Sequence, residues 1–475
     1  MKHAQRNTLG WIAVTVVLFL VLLLVGMFLR AVQANQLDAA QGWFYPMMTL
    51  HGVGMAGLWW VGAMACASRV LARYVEPSEK VSSFAMLGTV AGVVLLLVSV
   101  FLGRFAAGWY FLYPLPLKGT WPRWSTVVFL ASLTVLAVTW LVWVLDLLRA
   151  IAKKFPLTRA LGWHYITGAE GPEVPPVVLI TTVSLIAAIA CLVSGAATVV
   201  FFVLELFTGT GSDPLLMKNL TFLFGHLLVN LSLYLAVGVI YDVLPTYTGR
   251  PWKANRVVAV AWNVVLWVVL FAYFHHLYMD FAQPPAFQYL GQVASYVSSI
   301  PSAVVTVFGA VALVYRAPVR WNLTVALFFL GLMGWGIGGI GAVIDSTIAV
   351  NSVLHNTLWV PAHFHTYMIE GLVLMVLGYF YHYCQEEAPI EEDLRLHKIA
   401  TCLIVVGGYG FLAMFYLSGA LGVPRRFAIY PANVAHGATL SKVALGFITL
   451  FLGGLLVYAR ELGRRWNKAR QAIHA

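Results

Sequence analysis

Charge is what this sequence has least of. Asp, Glu, Lys and Arg make up 10% of its 475 residues, while 61% are hydrophobic. A soluble chain of average composition is about a quarter charged and under half apolar. One buried core cannot absorb that excess, because domains split before cores grow so large. The composition excludes a soluble enzyme and a disordered chain, and it points to a polytopic membrane protein. Cysteine is scarce as well. Cys66, Cys191, Cys384 and Cys402 are scattered on or beside apolar stretches, with no CxxC and no Cys/His pair at metal spacing. That pattern excludes a disulfide scaffold and a zinc site. Long polar stretches are also missing, so residues 1–475 read as one membrane domain.

What is present is a series of apolar runs. About 20 such residues suffice to cross a bilayer. Twelve runs qualify: 10–32, 47–73, 83–106, 126–150, 176–207, 216–246, 256–278, 289–316, 322–346, 356–384, 398–420 and 436–462. The fold class is therefore an all-α membrane protein, a bundle of twelve transmembrane helices. The first run is too long for the core of a cleaved leader and reads as a span. Twelve spans put both termini on one side. Of the 29 lysines and arginines, 21 fall on that side and eight on the other, so the termini are expected in the cytoplasm. The net charge of +11 thus reflects loop charge and not a nucleic-acid surface. Glycines 334, 336, 338, 339 and 341 give span nine a small face, which usually serves close helix packing. A twelve-span transporter is one function class this count allows. Transporters usually show interrupted spans in matching positions of two halves, and that pairing is missing here.

Histidine is the unusual residue. Six of 13 fall inside spans: His51, His226, His275, His276, His363 and His365. Polar groups inside a bilayer are costly and usually functional. Because alternate spans run in opposite directions, all six lie in the outer third of the membrane, where chance would scatter them. His363 and His365 are two apart, so they point about 200° from each other on a helix. They cannot share a ligand, but each can hold a separate flat cofactor. His275 and His276 are adjacent at a helix end and can both reach one metal if that end loosens, with His226 as a third nitrogen. Imidazole suits copper, iron and zinc, and a haem takes one or two axial ligands. The six histidines divide into two for a low-spin haem, one for a high-spin haem and three for a metal.

These residues resemble a known family. The segments HNTLWVPAHFHTY (His355 to Tyr367), GHLLVN (Gly225 to Asn230), FHHLYMD (Phe274 to Asp280), His51–Gly52 and PRRF (Pro424 to Phe427) are similar to the catalytic subunit I of haem–copper oxygen and nitric oxide reductases, in its B-type branch. The resemblance implies that His51 and His365 ligate a low-spin haem b and that His363 is the proximal ligand of a high-spin haem of b or a type. It implies that His226, His275 and His276 hold copper (CuB), and that Arg425 and Arg426, with His355 nearby, meet haem propionates. A guanidinium binds carboxylate as a bidentate fork. The resemblance further implies a gas substrate, a copper-bearing subunit II, a cytochrome c or cupredoxin donor with quinol as the alternative, and the inner membrane of a bacterium or archaeon.

The sequence departs from the pattern at one decisive position. Oxygen reductases of this branch carry a tyrosine cross-linked to the first copper histidine, four residues after it. Here Asn230 stands there, one helical turn from His226 and expected to face the metal. Splitting dioxygen takes four electrons: two from haem iron, one from copper and one from the phenol. Coupling two NO molecules takes two, which haem and copper alone supply. The pattern is therefore similar to copper-type nitric oxide reductases, with oxygen reduction as the alternative. Iron-type NO reductases place a glutamate at this turn, and three imidazoles without carboxylate favour copper over iron. Another branch supplies a tyrosine six residues before the paired histidines, where Val269 stands. Tyr273 is the candidate substitute phenol. Tyr241 is 15 residues from His226, about 22 Å along a helix. Tyr241 and Ser302 match a proton route, but Val237, Val305 and Phe308 occupy positions of expected hydroxyls, so the route reads as interrupted. Glu370 is expected on the face of His363, about 10 Å further inward, as a proton-delivery candidate. No cysteine pair for a dinuclear copper centre and no CxxCH is present, so electrons must arrive through another subunit or donor.

Overall fold

The computed structural model describes residues 2–37 and 42–474. Twelve helices are long and apolar enough to span a membrane. They are α1 (His3–Gln33), α2 (Phe44–Leu71), α3 (Glu79–Leu102), α4 (Arg123–Lys154), α5 (Pro176–Thr208), α6 (Pro214–Thr248), α7 (Arg256–Leu277), α8 (Ala286–Val314), α9 (Leu323–Asp345), α10 (Trp359–Glu387), α11 (Leu394–Ala420) and α12 (His436–Ile473). Among the described residues there is no strand, only an isolated antiparallel bridge between Thr357 and Pro424. Helices are the natural outcome, because backbone groups inside a bilayer have no water to bond and must be satisfied within the segment.

The ends are set by local chemistry. Asp213 Oδ1 accepts from the Leu216 N–H at 2.6 Å to start α6, Asn255 accepts from Val258 N–H at 3.0 Å to start α7, and Asn322 accepts from Val325 N–H at 3.1 Å to start α9. Such caps satisfy donors that the first helical turn leaves free. Gly209, at φ +74°, turns the chain out of α5, a conformation glycine adopts without penalty. Several helices outrun their apolar stretches. Thus α12 continues past residue 462 because Arg465 is fully enclosed, pairing with Glu461 (3.0 Å) and donating to Gln385 Oε1 (2.7 Å).

Successive helices pack in pairs, and α2, α6 and α10 meet in the interior. The apolar stretch of α6 is 83% buried, against 28% for α1 and α8. Glycines of α9 bring it against α10. A Cβ on Gly334 would meet Glu370, one on Gly338 would meet Tyr367, and one on Gly341 would lie 3.0 Å from His363 Nδ1. The small face of α9 therefore seats the helix that carries two of the six histidines.

Candidate active site

His226, on α6, meets His275 and His276 at the end of α7. The ligand-capable atoms of the three lie within 4.8 Å of one another, the one such convergence of three metal-binding side chains among the described residues. The end of α7 makes this possible, because Tyr273–Leu277 is a 3-10 turn. Tighter winding changes the angle between neighbouring residues, and the two adjacent rings stand 4.1 Å apart. Ser295 of α8 donates to Gly291 O at 2.6 Å, so its oxygen accepts from His275 Nδ1–H at 2.9 Å. That bond fixes the tautomer and leaves Nε2 of His275 free for a metal.

His51 of α2 and His365 of α10 face each other with ring centres 6.5 Å apart and planes 15° from parallel. Imidazole nitrogens bind metals at about 2 Å, so two axial rings on one iron stand roughly 6 Å apart, centre to centre. His51 Nδ1–H donates to Leu22 O (2.9 Å) and His365 Nδ1–H to Pro361 O (2.7 Å). Both Nε2 atoms thus point inward. Gly26 of α1 leaves room for this, since a Cβ there would meet the His51 ring at 2.7 Å. The pair lines one cavity of about 520 Å³ together with His363 and the three clustered histidines.

Cations close the outer end of that cavity. Arg425 N–H donates to Asn356 O (2.9 Å) and Leu358 N–H to Val423 O (2.9 Å), so the loop after α11 is stitched to the loop before α10. Arg426 sits at φ +69°, a costly conformation for a side-chain-bearing residue, with its guanidinium 3.8 Å over the Tyr110 ring. Burial, with Arg426 beside it, pushes the Arg425 guanidinium down to about 9. Burial, with Arg425 beside it, also lowers the His355 imidazole. Its Nε2–H donates to His276 O at 3.3 Å. Arg425 Nε, His355 Nδ1, Asn351 Oδ1 and Asp345 Oδ1 are buried without partners. A buried cation with unpartnered donors is suited to an anion.

One cation was missed by sequence reasoning. Arg30 of α1 is buried, lines the cavity, donates to Ser441 Oγ (3.0 Å) and lies 3.8 Å over Phe415, whose ring stacks on His365 at 5.3 Å. An arginine inside an apolar run was its only signal.

The remaining candidates divide. Asn230 Nδ2 donates to His226 O (2.8 Å) and stands 3.4 Å from His226 Nε2. It borders the cavity with no phenol beside it at that turn. Tyr273 is turned away: its hydroxyl donates to Asn219 Oδ1 at 3.0 Å, and it does not border the cavity. Its ring packs instead on Phe274 and Leu277. Glu370 does not border the cavity. Residues Thr366–Val373 form a π-helical turn, whose extra residue rotates the rest of the helix about its axis. The fully buried carboxylate lies between Gly334 of α9 and Gly408 of α11, and both oxygens lack partners. Phe308 is 68% exposed and sits on the outer face of α8, while Ser295, Ser298, Ser302 and Thr306 are all buried. Those four recur at helical spacing, and Tyr241 Oη meets Thr306 Oγ1 at 3.0 Å.

The site geometry agrees with the similarity of this chain to known proteins. The family model described as cytochrome c and quinol oxidase polypeptide I matches residues 6–456. The chain belongs to that family. Among the family's relatives is cytochrome c oxidase subunit 1 of Thermostichus vulcanus, 26% identical over 269 residues, 55% of this chain and 47% of the relative. The subunit 1 of Synechocystis sp. is 24% identical over 415 residues, 84% of this chain and 72% of the relative. The chain thus spans about half to three quarters of the length of these curated relatives. A haem–copper terminal oxidase dimer solved by electron cryo-microscopy has the same fold, with TM-score 0.79 and 20% identity over 97% of this chain and 84% of that one. Membership in the haem–copper oxidase subunit I family implies haems and a copper. The facing His51 and His365 rings, the three converging imidazoles and the unpartnered cationic rim fit such groups.

Proposed function

We propose that this chain is the catalytic subunit of a membrane-bound terminal reductase that converts NO to N2O. The observation that carries this reading is Asn230, against His226 at the turn where the oxygen reductases of this branch carry the phenol that gives the fourth electron. Two NO, two electrons and two protons make one N2O and one water, and no phenol is needed for that balance. Bound haems and copper would supply the electron transfer and gas ligation. The residues of this chain do the rest. His51 and His365 would hold the low-spin haem, His363 the high-spin haem, and His226, His275 and His276 the copper. Arg425 and Arg426, near His355, would bind propionates and so fix cofactor tilt.

For protons we assign Tyr241, Thr306, Ser302 and Ser298, ending at Ser295 beside His275. Ser298 and Ser302 donate to Ser295 O and Ser298 O, both at 3.1 Å, so water must bridge the hydroxyls for a proton to pass. Glu370, enclosed between α9 and α11, stands apart from this route. We place the whole chain as one domain in a bacterial or archaeal inner membrane with cytoplasmic termini, and we assign electron supply to a copper-bearing partner subunit loaded by cytochrome c or a cupredoxin.

Oxygen reduction is the second reading. The relatives' names, cytochrome c oxidase subunit 1, favour it. The two separate in one experiment. Purified, pre-reduced enzyme is given NO or O2 under one electron donor. N2O formation outpacing oxygen uptake supports the Asn230 reading. Fast reduction of O2 to water overturns it.

A further inference from the structure

Only two tyrosines border the large cavity among the described residues, Tyr110 and Tyr367. Tyr110 lies under the Arg426 guanidinium on the outer rim. Tyr367 is different. It comes one helical turn after His363, and the two rings are 6.0 Å apart, centre to centre. Gly338 of α9 makes room for it, since a Cβ at that position would meet Tyr367 Cδ2 at 2.8 Å. Its hydroxyl oxygen accepts from the indole N–H of Trp335, a residue 2% exposed, at 2.9 Å. The phenol is thus fixed against α9 with a buried donor on its oxygen.

We propose that Tyr367 is a redox-active residue of this site, giving one electron when the reduced or oxidised centre meets dioxygen or a peroxide. The phenol has the chemistry that Asn230 lacks, and it stands on the His363 side of the cavity instead of the His226 side. For dioxygen, Tyr367 gives the fourth electron, beside the three that bound haem and copper would supply. The Tyr367 O–H bond breaks, its proton goes to the reduced oxygen, and a neutral phenoxyl radical remains. An electron from the low-spin haem and a proton from the cavity later restore the phenol. For hydrogen peroxide added to the oxidised centre, two electrons are needed to break the O–O bond: Tyr367 gives one, with its proton, and the bound haem would supply the other. The Trp335 N–H stabilises the oxygen as it loses its own hydrogen, because a donor fixed in a low-dielectric interior acts more strongly than one in water. The Tyr367–Trp335 contact also holds the ring in one orientation, so the radical should show one defined geometry.

The inference rests on haem and copper being bound as above, but not on which gas is the physiological substrate. Purified holoenzyme, oxidised, is mixed with hydrogen peroxide and freeze-quenched for electron paramagnetic resonance. The expected result is an organic radical whose lines narrow when the protein carries ring-deuterated tyrosine and stay unchanged with ring-deuterated tryptophan. Tyr367→Phe, with its haem absorption intact, should lose that radical. Trp335→Phe should keep it with shifted g values, since the hydrogen bond to the oxygen is gone. A wild-type enzyme without a radical overturns the proposal. So does narrowing by labelled tryptophan alone, or an unchanged signal in Tyr367→Phe. If Tyr367→Phe fails to load haem, the labelling of wild type and Trp335→Phe still decide. Radical loss in Tyr234→Phe, a neighbouring buried phenol, would assign it there and also overturn the proposal. Normal NO or O2 turnover without any radical would sink this inference alone, leaving the assignment of the reductase untouched.

Discussion

At the scale of single residues, the six intramembrane histidines were legible because imidazole in a bilayer has few structural excuses. What fixes each ring was not. Ser295 lies 20 positions from His275 on another helix, and only the packing of α8 against α7 joins them. Removing its oxygen leaves His275 free to rotate or change tautomer. Ser295→Ala is therefore expected to weaken copper retention by roughly 10–100-fold, the usual cost of losing such a partner. Copper content after graded chelator treatment is the measurement, and full retention would show that the bond is incidental. Arg425 supports a prediction of opposite sign in two states. Burial lowers its guanidinium from 12.5 to about 9, so the folded haem-free protein holds that proton less tightly than the unfolded chain. The penalty is present at all pH values below about 9 and eases only as pH rises through that value. Propionates would reverse it. Arg425→Gln should thus raise the melting temperature of the haem-free protein at neutral pH and lower that of the loaded one. A decrease in both would mean that the rim does not face an anion.

At the scale of helices, two departures from ideal winding shape the site. The 3-10 turn at Tyr273–Leu277 brings adjacent histidines to one point and sends Tyr273 toward Asn219. Glu370 lies within the π-helical turn at Thr366–Val373 and, enclosed between α9 and α11, does not border the cavity. Neither turn has a strong local signature, because both are stabilised by the helices packed against them. For α8 the signal was present: hydroxyls at 295, 298, 302 and 306 keep a helical period. Phe308 lies on the exposed side of α8, away from this stripe, while Val305, seven residues after Ser298, stands on the stripe's own side. If this stripe carries protons, Thr306→Val should slow proton-coupled turnover while leaving the rate of low-spin haem reduction unchanged, because the substitution preserves shape and removes only the hydroxyl that meets Tyr241. Stopped-flow absorption tracks both rates in one sample. Equal slowing of both, or of neither, would remove α8 from the proton path.

At the scale of the whole molecule, the twelve spans follow from apolar run lengths, which is why the fold was readable before any contact was known. The cavity is lined by two groups of histidines that share no residue. His51 and His365 belong to α2 and α10 and are anchored to Leu22 O and Pro361 O. The triad belongs to α6 and α7 and is anchored through α8. Since no hydrogen bond links one set to the other among the described residues, loss of copper should not disturb the low-spin haem. His226→Ala leaves two imidazoles, too few to hold copper against a chelator. The purified variant is expected to contain two haems per chain, a low-spin spectrum unchanged from wild type, little copper and no turnover with NO or O2. Metal analysis beside a haem absorption spectrum tests this directly. Loss of the low-spin signal together with copper would mean that the two sets are mechanically coupled, and the shared wall at α10, which carries both His363 and His365, would then be the element that couples them.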